Sequence, residues 1–169
     1  MNYFLDTEFL EGTQKTFLGI SKPTIDLISI GLVCENGNKY YAISKDHEEV
    51  EKLLKQDFTY KNFKKLINKY GKTNKQIGTE IKDFIYKTTT NLSFQSTENQ
   101  IKYWGKEVPI KFYGYYADYD WVVFCWLFGK MIDLPKGFPM FAFDIQQQIE
   151  EYNIDKKLLL ENIPQINCH

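Results

Sequence analysis

Two strand patterns separated by a hairpin signal constrain the fold more than any other feature of the sequence. Residues Asp26 to Cys34 (DLISIGLVC) form a short apolar run, rich in Ile, Leu and Val, that is typical of a buried strand. Residues Glu35 to Asn38 (ENGN) favour a tight turn, and Lys39 to Ser44 (KYYAIS) has the composition of a returning strand. Together with a first strand predicted from Asn2 to Phe9, this pattern predicts an antiparallel three-stranded meander at the start of the chain.

The rest of the sequence predicts helices and further strands. A connection that contains Gly12, Gly19 and Pro23 is predicted after the first strand. Helical periodicity begins near Asp46 and continues to Lys87, with Leu66 among the residues spaced for one inward face, and the polar stretch Thr88 to Glu98 is predicted to be a loop. The later elements are predicted in the order strand, helix, strand, helix, at Lys111 to Tyr115, Asp118 to Phe128, Met140 to Phe143, and Ile145 to Tyr152. This order predicts an α/β fold of ribonuclease H-like architecture, in which the meander and parallel strands form one mixed sheet flanked by helices.

Composition limits how the chain can interact with other molecules. The 169 residues, 43% of them hydrophobic, suffice for one domain with a substantial core, and the formal charge of −1 excludes a polycation. All 21 basic residues are lysine, so contacts to phosphate must come from lysine, backbone amides or metal ions. Three cysteines without a CxxC pair favour free thiols in a reducing, cytoplasmic compartment. No apolar run approaches membrane-spanning length, so no membrane association is expected.

The tripeptide Asp6-Thr7-Glu8 places two acids in the first apolar strand. Residues two apart in a strand project to the same face, so both carboxylates point the same way. Such acids are unfavourable to bury unless they pair or bind a metal ion, and they repel each other unless a cation neutralises them. Carboxylate oxygens that converge on one point suit Mg²⁺ or Mn²⁺. The alternative is that the strand ends near Leu5 and both acids lie in solvent.

A second acidic position follows the predicted strand at Lys111 to Tyr115. Asp118 and Asp120 lie where that strand gives way to a helix, and capping the helix N-terminus is the commoner role for Asp there. Asp120 lies further into the helix, before an apolar run, and could project back to the end of the sheet. Of the two histidines, His47 lies in a charged stretch typical of a helix start, and His169 is the last residue of the chain.

These motifs resemble those of the DEDD (DnaQ-like) 3′–5′ exonuclease superfamily. Phe4 to Phe9 (FLDTEF) is similar to its first motif, and Tyr116 to Phe124 (YADYDWVVF) is similar to its second, with Asp120 in the metal-ligand position. The likeness is strongest to the small mycobacterial-type 3′–5′ exoribonucleases, of the DEDDh type, and covers nearly the whole chain. Cys168-His169 resembles the start of the third motif, whose final Asp would follow. The chain is therefore predicted to be a single exonuclease domain, residues 1–169, without the C-terminal end of that motif.

The resemblance implies a metal-dependent hydrolase of phosphodiester bonds that releases nucleoside 5′-monophosphates. It implies two ions of Mg²⁺ or Mn²⁺ in the complete enzyme, with Asp6, Glu8 and Asp120 as their ligands. His169 would accept a proton from the attacking water, because its ordinary pKa of about 6.5 suits that transfer at neutral pH.

The resemblance also implies where the substrate lies. Thr7 and Phe9 would lie beside the terminal nucleotide, although core packing is an equally good reading of Phe9. The predicted partner is the 3′ end of a single-stranded nucleic acid, with RNA favoured, and a homodimer is left open. One alternative is a DNA 3′–5′ exonuclease, since the metal chemistry does not depend on the sugar. Another is a catalytically impaired relative that binds nucleic acid without cutting it, which the missing final acid favours.

Overall fold

A computed structural model describes residues 1–15, 21–46, 60–94 and 109–157 of the chain. They form five strands, four α-helices and one 3₁₀ helix. The strands are β1 (Asn2–Lys15), β2 (Ser21–Cys34), β3 (Lys39–Ile43), β4 (Lys111–Gly114) and β5 (Phe143–Asp144). The helices are α1 (Tyr60–Tyr70), α2 (Asn74–Phe94), α3 (Ala117–Trp126) and α4 (Ile145–Glu151), with the 3₁₀ helix at Met131–Asp133 between α3 and β5.

The strands form one mixed sheet in the order β3-β2-β1-β4-β5. The pairs β1–β2 and β2–β3 are antiparallel, whereas β1–β4 and β4–β5 are parallel. β1 is therefore the central strand, with the antiparallel meander on one side and the parallel strands on the other. Both the predicted meander and the predicted ribonuclease H-like α/β class are confirmed.

The hydrophobic core lies between one face of this sheet and helices α2 and α3. Tyr3, Leu5 and Phe112 project from β1 and β4 on the core side. They meet Ile77, Ile81 and Ile85 of α2, which repeat at the four-residue spacing of one helix face, and Phe124 of α3. The α2 register is fixed locally, because Thr73 and Gln76 form a reciprocal capping box at its start.

A bulge in β2 lies beside the acidic part of β1. Glu8 pairs with Ser29 and Phe9 pairs with Leu27, so Ile28 is the extra residue of β2. The bulge lets Ile30 and Leu27, three positions apart, both face the core, which strict alternation would forbid. It also changes the pairing of β1 immediately after Glu8, at the end of the acidic motif.

Several predicted boundaries are wrong, each for a tertiary reason. β1 and β2 continue as a paired ribbon through Gly12 and Pro23, which were predicted to lie in a connection. Pro23 is tolerated because β3 pairs with β2 only over Ser29–Val33, so no strand of the described part of the chain pairs with the other edge of β2 at Pro23. The polar stretch from Thr88, predicted as a loop, continues α2 to Phe94 because Thr88 and Thr89 hydroxyls bond to Tyr3 in the core.

The last strand and the first helical stretch also differ from prediction. β5 begins at Phe143 rather than Met140, and its two residues pair only with Tyr113 and Gly114 of β4. In α1, Leu66 is exposed although the spacing predicted an inward face. The predicted helix between residues 47 and 59 lies outside the described residues. Within the described residues, no helix is long and apolar enough to span a membrane.

The two described cysteines are buried free thiols, as predicted. Burial raises the pKa of the Cys125 thiol to about 11. Because the thiolate is the nucleophile, we expect iodoacetamide at neutral pH to leave Cys125 unmodified in the native protein and to alkylate it in guanidinium chloride. Peptide-resolved mass spectrometry measures both rates. Equal alkylation in the native and unfolded protein would show that Cys125 is not buried.

Candidate active site

The candidate site lies where β4 ends and the central strand continues. β1 pairs with β4 only from Asn2 to Phe4, and β4 ends at Gly114, beside Leu5. Gly114 allows the chain to turn tightly there, because a Cβ at this position would lie 2.8 Å from the Cβ of Ala117. A crevice at the carboxyl end of a parallel strand, where the topology changes direction, is the usual ligand site of an open α/β sheet.

Asp6 and Glu8 project from β1 on the face opposite the core. Both side chains are exposed, whereas Leu5 and Thr7 between and beside them are buried. This alternation is the predicted one, so β1 does not end near Leu5 and the two carboxylates share a face. Neither carboxylate makes a hydrogen bond or ion pair within the described part of the chain, which leaves both free to bind a ligand.

The Asp120 carboxylate is held against β1 by Thr7. Asp120 and Thr7 are only 6% and 7% exposed. The Thr7 backbone amide donates to Oδ1 of Asp120 at 3.0 Å, and the Thr7 hydroxyl donates to the same oxygen. Asp120 therefore projects back from α3 to the sheet, as the sequence suggested, and lies next to the strand that carries Asp6 and Glu8.

The three carboxylates interact electrostatically. Burial raises the pKa of the Asp120 carboxyl above its usual range, the two Thr7 hydrogen bonds oppose that rise, and the charges of Asp6 and Glu8 increase it. The ionised form of Asp120 is thus disfavoured first by burial and further by the charges of Asp6 and Glu8. A cation bound near these carboxylates would offset the rise in pKa, because it would favour the charged form of Asp120.

The donor chemistry fits a hard divalent cation such as Mg²⁺ or Mn²⁺, because all three groups offer carboxylate oxygens. In residues 1–15, 21–46, 60–94 and 109–157, no three His, Cys, Asp or Glu side chains lie close enough together to hold a metal ion between them. Asp6 and Glu8 are exposed, and Oδ2 of Asp120 makes no hydrogen bond within those residues. The fit therefore rests on donor type and electrostatic coupling, and the ligand set stays a prediction.

Asp118 and Asp120 differ in burial and in hydrogen bonding, and it is Asp120 that projects back to the sheet, as the sequence suggested. Asp118 is exposed and makes no hydrogen bond within the described part of the chain, whereas Asp120 is buried on Thr7. Neither acid caps α3. The N-cap position is Tyr116, which has a left-handed φ of 58° and makes no side-chain cap bond.

Asp144 supplies the missing cap, and the sequence reading did not assign it this role. Its Oδ2 accepts from the Ala117 amide at 2.7 Å, at the start of α3, and its Oδ1 accepts from the Gln147 amide at 3.0 Å, in α4. An Asp that ends a strand just before a helix is a recognisable N-cap signal, so its role in α4 could have been read locally. The bond from Asp144 to Ala117 at the start of α3 joins residues 27 positions apart, so it could not be predicted from the local sequence.

Phe9 is partly buried and contacts both the core and the site. It packs against the core cluster, and its ring stacks on the exposed ring of Tyr119, with centroids 5.5 Å apart and an interplanar angle of 24°. The core packing that was one of the two predicted roles of Phe9 is therefore observed, in addition to its contact with Tyr119. The predicted contacts of Phe9 and Thr7 with a terminal nucleotide stay predictions. His169, the predicted proton acceptor, lies outside the described residues.

The fold and the site define a class of protein: a ribonuclease H-like α/β domain with Asp6 and Glu8 on the central strand and Asp120 bonded to the same strand, near the end of its parallel neighbour. Two curated relatives are similar to this chain, a 3′–5′ exoribonuclease from Mycobacterium tuberculosis strain CDC 1551 and one from strain H37Rv. Each is 29% identical over 153 residues, which cover 89% of this chain and 75% of the relative. No family model matches the chain.

Proposed function

We propose that the chain is a 3′–5′ exonuclease that hydrolyses single-stranded nucleic acid, with RNA as the favoured substrate. One observation carries the proposal: the buried Asp120 carboxylate lies on the strand that presents Asp6 and Glu8, in a chain similar to two 3′–5′ exoribonucleases. The 29% identity supports the direction of cleavage and the enzyme class. The DEDD assignment rests on the motifs around Asp6 and Asp120.

Asp6, Glu8 and Asp120 would hold divalent ions, Mg²⁺ or Mn²⁺, two of which the motif resemblance implies. When bound, these ions would neutralise the phosphate and promote ionisation of water. The chain's own contribution is to place Asp6 and Glu8 on one face of β1 and to hold Asp120 against the same strand in a buried orientation. His169, if it reaches the site, would accept the proton of the attacking water.

RNA is favoured over DNA because both similar proteins are named exoribonucleases. Discrimination between the two would require a contact to the 2′-hydroxyl. The exposed rings of Tyr115, Tyr116 and Tyr119 lie at the start of α3, close to Asp120 in sequence, and they offer surfaces on which unpaired bases could stack. Lys156, whose amine donates to the Tyr115 hydroxyl at 3.2 Å, adds a positive charge beside these rings.

Cleavage of a single-stranded RNA labelled at its 5′ end tests the proposal. We expect a ladder of products that shortens by one nucleotide at a time from the 3′ end, with nucleoside 5′-monophosphates released. The reaction should require Mg²⁺ or Mn²⁺ and stop in EDTA. Gel electrophoresis of the labelled strand and chromatography of the released nucleotides provide the two measurements.

A matched set of substrates separates the alternatives. A circular RNA of the same sequence should resist cleavage, and equal cleavage of the circle would indicate an endonuclease. A DNA of the same sequence should be cut more slowly, and faster cutting would favour the DNA exonuclease. Binding of the linear RNA without any cleavage in Mg²⁺ would favour the catalytically impaired relative.

A further inference from the structure

The Thr7 amide lies at a gap in the sheet. β4 pairs with β1 only as far as Phe4 and ends at Gly114, so among the described residues no strand pairs with Thr7 on that side. An unpaired amide at a buried position is costly, and such groups nearly always find an acceptor. Here the acceptor is the carboxylate of Asp120, which takes the place of the missing strand.

The Thr7 hydroxyl adds a second donor to the same oxygen. Both the amide and the hydroxyl donate to Oδ1 of Asp120, and Oδ2 makes no hydrogen bond within the described part of the chain. Two donors from one residue restrain the rotation of the carboxylate about its last bond. They also direct one oxygen into the protein and leave the other for a ligand.

From this geometry we propose that Thr7 is a positioning residue, which orients Asp120 so that Oδ2 faces the divalent ion. The inference rests on the proposed function, since it concerns the same site. It differs from the sequence prediction for Thr7, which placed the side chain beside the terminal nucleotide. The Thr7 hydroxyl is buried and donates its one proton to Asp120, so it has no proton left to donate to a nucleotide.

Two substitutions distinguish the effect of the Thr7 hydroxyl from the effect of the branched shape of the side chain. Thr7→Val keeps the branched shape and the backbone amide but removes the hydroxyl, whereas Thr7→Ser keeps the hydroxyl. Loss of a hydrogen bond that orients a metal ligand typically weakens metal binding by about 10- to 100-fold. We expect Thr7→Val to weaken Mn²⁺ binding by at least about tenfold and Thr7→Ser to remain close to the unsubstituted chain.

Calorimetric titration of the full chain with Mn²⁺ alone measures this effect without reference to turnover. The companion measurement is the affinity for single-stranded RNA in EDTA, by fluorescence anisotropy, which a positioning residue should leave unchanged. Thermal unfolding checks that each variant is folded. If Thr7→Val does not fold, Thr7→Ala, which also removes the hydroxyl but adds no apolar branch, replaces it.

Asp120→Asn serves as the reference variant. If Asp120→Asn weakens Mn²⁺ binding and Thr7→Val does not, the positioning role is wrong and the proposed function stands. If Asp120→Asn leaves Mn²⁺ binding unchanged, the proposed site itself is wrong. Weaker RNA binding by Thr7→Val in EDTA, with normal Mn²⁺ affinity, would overturn the inference in favour of a nucleotide contact. Equal Mn²⁺ losses in Thr7→Ser and Thr7→Val would also overturn it.

Discussion

Asp6→Asn and Glu8→Gln should each abolish phosphodiester hydrolysis while the fold survives. A metal ion contributes several kcal/mol to stabilising the charge of the transition state, so losing one ligand should reduce the rate by on the order of 10²–10³-fold or more. Both side chains are exposed and make no hydrogen bond within the described residues. Their removal therefore leaves no buried group unsatisfied.

The stability of the same variants provides an independent measurement. The charges of Asp6 and Glu8 raise the pKa of Asp120, so they disfavour its ionised form in the metal-free protein. A carboxyl whose pKa is raised on folding contributes stability below its unfolded pKa and loses it as the pH rises through the folded value. At neutral pH, removing either neighbouring charge should therefore leave the free energy of unfolding unchanged or increase it.

Denaturant unfolding in EDTA and single-turnover cleavage in Mg²⁺ measure these two effects side by side. Glu11→Gln is a suitable control, because Glu11 is an exposed acid further along the same strand. It should change neither activity nor stability appreciably. Undiminished hydrolysis by Asp6→Asn or Glu8→Gln in a metal-controlled assay would disprove the metal-site reading.

Asp120→Asn should damage catalysis far more than Asp118→Asn. The two acids are two residues apart in the first turn of α3, and a helix turns by about 200° over that distance, so they face opposite sides. Asp120 is buried on Thr7 and Asp118 is exposed. We expect Asp120→Asn to lower the single-turnover rate by on the order of 10²-fold or more, and Asp118→Asn to change it by less than about threefold.

Asp120→Asn is also a mild change for the fold. The Asn carbonyl can still accept from the Thr7 amide and hydroxyl, and the replacement removes a charge whose burial is unfavourable. Thermal unfolding should therefore show no loss of stability in EDTA, which separates a catalytic defect from misfolding. If Asp118→Asn is inactive and Asp120→Asn is active, the register assigned to the second motif is wrong.

Local sequence patterns determined the elements that a short stretch of chain can specify by itself. The turn at Glu35 to Asn38 and its flanking strands follow from a run rich in Ile, Leu and Val before a turn sequence and a run with two tyrosines after it. The start of α2 follows from a Thr and a Gln three residues apart. The shared face of Asp6 and Glu8 follows from the two-residue period of a strand.

Contacts between distant residues decided the rest. The bond between Thr7 and Asp120 joins residues 113 positions apart, and it makes Thr7 a partner of a metal-ligand candidate, which the sequence did not indicate. The bulge after Glu8, the continuation of β1 past Gly12 and the bond from Asp144 to α3 likewise depend on neighbouring elements. The sequence by itself indicated which residues are candidates for the chemistry, because residue type and strand period are local properties. Only the tertiary structure decided how Asp120 is held, because the Thr7 amide, which has no strand partner among the described residues, donates to the carboxylate that the fold brings to it.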